Sequence, residues 1–68
     1  VPKILHNRLK EERERLQITQ AQLAEKVGVS RKTINTVENG VFIPSTVLAL
    51  KLAKAIGKSV EQLFFLDE

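Results

Sequence analysis

Much of what a small domain usually leans on is missing from this chain. Its 68 residues include no cysteine, so neither a disulfide nor a thiolate-held zinc can staple it. The single histidine, His6, has no cysteine or carboxylate partner at ligand spacing, so it reads as a surface residue rather than a catalyst or metal ligand. No nucleophile–base pair and no phosphate-binding glycine loop occur, which sets enzyme chemistry aside and leaves no cofactor or small-molecule ligand to expect. Long apolar runs are missing as well. None can cross a bilayer, and no apolar stretch follows a basic start as it would in a secretory leader. Lack of cysteine fits a reducing compartment, so a cytoplasmic location is expected, without a membrane partner.

What is present is a series of helix starts and stops, with no convincing strand alternation. Residues 1–68 therefore read as one all-α domain, a compact bundle of five short helices. Its core is small enough that close helix packing or a second subunit must hold it. The first helix is expected from about Ile4 to Leu16, with Leu5, Leu9 and Leu16 on one stripe. Thr19-Gln20-Ala21-Gln22 is a capping box for a second helix that buries Leu23 and Val27 and stops at Gly28. Ser30 is the N-cap of a third helix, closed by Asn39-Gly40. After the loop from Val41 to Pro44, Ser45 or Thr46 opens a fourth helix that Gly57 ends. Ser59-Val60-Glu61-Gln62 is a second capping box, starting a fifth helix that carries Leu63 and Phe64.

The third helix has an unusual outer face. Ile34 and Val37 form its apolar stripe, yet Lys32, Thr36 and Asn39 stand opposite, flanked by Arg31, Thr33 and Asn35. Thr and Asn weaken a helix by several tenths of a kcal/mol each, so a face meant only for water would be built from better helix formers. The charge distribution points the same way. The chain carries 11 Lys+Arg against 8 Asp+Glu. From Gly28 to Val60, however, Arg31, Lys32, Lys51, Lys54 and Lys58 face Glu38 alone, which suits a polyanionic partner.

Two charges break the binary pattern. Arg13 falls on the apolar stripe of the first helix and Glu38 on the inner edge of the third. Either they neutralise each other as a partly buried ion pair, or both tilt to the surface.

The ordered set Thr19-Gln20, Leu23-Ala24, Gly28-Val29-Ser30, Thr33-Ile34, Glu38-Asn39-Gly40, Pro44-Ser45 and Ala53 closely resembles the phage repressor and Cro family. This is the group of helix-turn-helix regulators also called xenobiotic-response-element-type, and the resemblance runs from about Leu5 to Phe64. It implies a five-helix bundle with its helix-turn-helix motif at about residues 19–38, whose third helix enters the major groove of double-stranded DNA. It also implies the Arg13–Glu38 pair. Carried over by position, base reading falls on Arg31, Lys32, Thr33 and Thr36, with Asn35 flanking, and phosphate contact on Gln20, Ser30 and Asn39. Helix chemistry adds Thr19, because a capped N-terminus offers free N–H groups and a positive dipole end to phosphate.

The chain departs from that family at Val41-Phe42-Ile43, where polar or basic residues often touch the DNA backbone. Phe42 either folds back on the core or joins a subunit interface. Phe64, Phe65 and Leu66 pose the same question, since in a helix they would span about 200° and could not all face one core. A homodimer using Phe42, Phe65 and Leu66 is the favoured reading. The function expected is a dimeric repressor on a near-palindromic operator. The competing reading is an antitoxin or adaptor that uses the same fold to hold another protein.

Overall fold

The computed structural model describes residues 5–66. In chain order these form β1 (Leu5–Asn7), α1 (Leu9–Arg15), α2 (Gln20–Val27), α3 (Arg31–Glu38), α4 (Thr46–Ile56), α5 (Val60–Leu63) and β2 (Phe64–Leu66). Five helices are present as expected, but the chain is not all-α. β1 and β2 pair antiparallel, with Leu5 opposite Leu66, His6 opposite Phe65 and Asn7 opposite Phe64.

The sheet stands where helix is expected from the sequence, before Leu9 and at Phe64. α1 begins at Leu9 rather than near Ile4, which lies outside the described residues, because Asn7 Oδ1 accepts from the Leu9 backbone N–H at 3.1 Å. The sheet is then fastened on by the Arg8 N–H, which donates to the Leu63 carbonyl at 2.8 Å. At the other end, the two aromatic side chains favour the pleated strand. There the strand turns Phe65 to the face opposite Phe64: Phe64 is buried, Phe65 is exposed, and Leu66 is exposed at the end of the sheet.

The four later helices begin on side-chain caps. Thr19 accepts from the Gln22 N–H and Ser59 from the Gln62 N–H, each within a reciprocal capping box. Ser30 accepts from the Thr33 N–H and Ser45 from the Leu48 N–H. Gly28, at φ +76°, ends α2 in the left-handed region and sets the turn into α3. α1 ends without a glycine, and Gln17 takes φ +59° in its place. Leu16 is pushed out by this ending and is 38% exposed, so it leaves the apolar stripe.

The core is built from Leu9, Leu23, Val27, Ile34, Val37, Leu52, Ile56, Leu63 and Phe64, with Ala24 and Ala53 where helices approach closely. At about 25 cal/mol per Å² of apolar surface, a core this small leaves a modest surplus over chain entropy. Among the described residues no helix is long and apolar enough to cross a membrane.

Candidate nucleic-acid interface

α2 and α3 are joined by the short turn at Gly28-Val29, and the Gly28 and Val29 N–H groups both close back on the Ala24 carbonyl, at 2.9 and 3.0 Å. This fixes the angle between two helices whose N-termini both reach the surface. The buried side of α3 is Ile34 and Val37. Lys32, Asn35 and Asn39 are exposed on its outer side, Arg31 is exposed beside the start of α2, and Thr33 and Thr36 are half-buried on the edges.

Arg13 and Glu38 meet across α1 and α3. The guanidinium Nε donates to Glu38 Oε2 at 2.6 Å and Nη2 to Oε1 at 3.3 Å, while Nη1 donates to the Ile18 carbonyl at 2.9 Å. Only 11% of the Arg13 side chain and 1% of the Glu38 side chain remain accessible. The hydrogen bond to the Glu38 carboxylate raises the Arg13 pKa above its ordinary value, so the guanidinium stays charged at any pH the fold survives. Gln20 completes the cluster, its amide donating to Glu38 Oε1 at 3.0 Å. The carboxylate is thus shared by all three of α1, α2 and α3. No polar side-chain atom buried among the described residues lacks a partner.

The outer side chains of α3 are partly committed to their own helix. Thr36 Oγ1 lies 3.0 Å from both the Lys32 and Thr33 carbonyls and donates back to its own helix. Thr33 Oγ1 shares a proton with Ser30 Oγ at 3.0 Å. The Asn39 amide donates to Asn35 Oδ1 at 3.3 Å, so those two side chains are pre-set as a pair. Arg31, Lys32 and Asn35 line a shallow cleft together with Gln20, which brings the start of α2 and the start of α3 onto one surface. Thr19 is exposed at the head of α2, its backbone N–H taken by Gln22 Oε1. Among the described residues no group of histidines and carboxylates could hold a metal ion.

The residues expected at a dimer interface are dispersed. Phe42 lines a cleft with Val29, Thr33, Val47 and Lys51, on the α3 side of the molecule. Phe65 is on the outward face of β2, where the Arg8 guanidinium lies 4.4 Å from its ring centre and His6 stacks on it at 5.5 Å. His6 is therefore half-buried in a ring contact and not the plain surface residue its isolation in the sequence suggested. Leu66 ends the sheet at 49% exposure. Sequence reasoning missed Asn7, whose side-chain amide donates to the Val37 carbonyl at 2.9 Å and ties the two-stranded sheet to the last turn of α3. An asparagine two residues before a leucine signals a local cap, but nothing local signals a partner thirty positions away.

A cap-bound helix, a left-handed glycine turn and a second cap-bound helix with a polar outer face define a helix-turn-helix domain. The sequence profile of the family described as Helix-turn-helix matches residues 9–63. The chain belongs to that family, in its xenobiotic-response-element-type branch, and is a regulator rather than an enzyme. It is 42% identical over 64 residues to the uncharacterized HTH-type transcriptional regulator YgzD of Bacillus subtilis, covering 94% of this chain and 97% of that one. It is 46% identical over 61 residues to an uncharacterized HTH-type transcriptional regulator of Methanothermobacter thermautotrophicus, covering 88% of each chain. Among solved structures it is similar to the P22 c2 repressor protein in complex with a synthetic operator. That match has a TM-score of 0.78 and 35% identity, over 79% of this chain and 82% of that one.

Proposed function

We propose that this protein is a sequence-specific, dimeric transcriptional repressor whose α3 lies in the major groove of a near-palindromic operator. The observation that carries the reading is the single surface formed by the head of α2 and the outer side of α3, where Gln20, Arg31, Lys32 and Asn35 line one cleft. A structural relative was solved on operator DNA, which supports the same use of the surface here.

In this reading Lys32, Thr33 and Thr36 read bases, with Asn35 beside them and Arg31 at the junction of base and backbone. A cation suits the O6/N7 edge of guanine, and the methyl group of Thr36 suits the methyl of thymine. Thr19, Gln20 and Ser30 supply backbone contacts from the two helix heads, and Asn39 from the far end of α3. Gln20 Nε2 carries a second N–H besides the one given to Glu38, so a phosphate held there is linked to Arg13 through the shared carboxylate. Binding of this kind places the protein in the cytoplasm, on the nucleoid.

A second copy would dock on the end of the molecule that carries Phe65 and Leu66. There a cleft of about 390 Å³ is lined by Leu5, Pro44, Ala49, Leu50, Val60 and Phe64, with Leu50 57% and Leu66 49% exposed. Two-fold pairing would present two α3 helices one DNA turn apart.

Selection of bound duplexes from random DNA tests the proposal. Enrichment of a two-fold motif is expected. Equal binding to all sequences would leave a nonspecific DNA module, and retention of a protein partner with no DNA affinity at low salt would favour the antitoxin or adaptor reading.

A further inference from the structure

α3 has two flanks, and they differ in chemistry. Toward α2, Gln20 and Arg31 offer hydrogen-bond donors and charge to one wall of a DNA groove. Toward α4 the surface is apolar: Phe42 is 47% and Val47 62% exposed, and the preceding loop adds Val41 and Ile43 at 78% and 70%. A major groove has a phosphate wall on each side, so a helix seated in it needs a grip on both.

We infer that Lys51, on the second turn of α4, is the phosphate contact on this second flank. It lines the cleft that contains Thr33, Phe42, Ser45 and Val47, and it is the one charged residue of that lining. The loop cannot supply a cation, and its path is fixed because the Val41 and Phe42 N–H groups both close on the Thr36 carbonyl, at 2.9 and 3.2 Å. The ammonium of Lys51 rides on a flexible four-carbon stem and is exposed, so it reaches past the apolar rim toward a backbone oxygen without ordering the loop. Lys54, one turn further, is absent from that lining and joins Lys51 only in the neighbouring cleft beside Gly28, with Glu25 and Lys26. The two lysines, three residues apart on one helix, are therefore assigned different roles: Lys51 holds phosphate and Lys54 is solvated. The inference rests on the proposed seating of α3 in DNA.

The test is the salt dependence of binding, with the full chain and a short random-sequence duplex as probe. Each phosphate neutralised contributes about 0.9 to the slope of log affinity against log salt. Lys51→Ala should lower that slope by roughly one per bound subunit and weaken all sequences alike. Lys54→Ala should leave the slope at the wild-type value, and melting temperatures of all three proteins should agree. On a duplex recovered by selection, where the register is fixed, replacing backbone phosphates one at a time with neutral methylphosphonate adds a positional readout. The replacement opposite Lys51 should weaken the wild type and have no further effect on Lys51→Ala. An unchanged slope in Lys51→Ala, or an equal loss in Lys54→Ala, would overturn the assignment while leaving DNA binding intact. Absence of binding by the wild type would instead remove the functional reading, and this inference with it.

Discussion

Two joints fasten the last turn of α3, and they are built from opposite materials. On the α1 side, Glu38 holds Arg13 and Gln20 in a charged cluster almost closed to water. On the sheet side, the Val37 carbonyl takes one neutral hydrogen bond from Asn7. The first joint is strong only while it is complete, because a lone buried charge cannot recover its lost hydration. The second tolerates loss, since the Val37 carbonyl also accepts from the Gly40 N–H at 3.1 Å and keeps a partner without the amide. The same helix is thus held on one side by a joint that fails abruptly and on the other by one that fails gradually.

That contrast can be broken in order of expected effect. Glu38→Ala should destabilise the fold by about 3 kcal/mol in a denaturant titration, because it strands the Arg13 guanidinium. A loss below about 0.5 kcal/mol would put the pair in the class of exposed bridges and end the distinction. Replacing both partners with apolar residues, Arg13→Met with Glu38→Leu, should restore most of that loss, which the single change cannot do. Asn7→Ala should cost about 1 kcal/mol and increase amide exchange at Leu9, whose N–H it also caps. Arg8→Ala, which removes the cation over Phe65, should cost about 0.5 kcal/mol at this exposed site. If Asn7→Ala proved as damaging as Glu38→Ala, the sheet joint would have to be as tightly closed as the charged one.

The joints also divide what could be read ahead of the structure. The Arg13–Glu38 pair left a trace in the sequence because helical period places both on inner faces, where a charge is conspicuous. The caps at Thr19, Ser30, Ser45 and Ser59 were legible for a similar reason, each depending on neighbours within three residues. The sheet left no such trace. Three residues in β1 and three in β2 are too short to display a period of two, and their pairing depends on contacts between the two ends of the described chain. Phe64 therefore reads as part of the fifth helix, although the failure of Phe64-Phe65-Leu66 to fit one helical face is visible in the sequence. At the surface, residue types on α3 could be assigned to a face, but the inward hydrogen bonds of Thr36 and the Asn35–Asn39 contact required coordinates. Phe42 was separated from Phe65 and Leu66 by tertiary placement alone.

The supports of α3 have one further consequence. Its start is held by Ser30, its buried side by Ile34 and Val37, and its end by Glu38 and the Val37 carbonyl. None of these depends on the identity of Arg31, Lys32 or Asn35, which are exposed, and exchanges at such positions usually alter stability by less than about 0.5 kcal/mol. A lineage carrying this scaffold can therefore change the outer face of its third helix by a few substitutions without first acquiring stability elsewhere. That face can diverge rapidly among duplicated copies while the bundle beneath it stays the same.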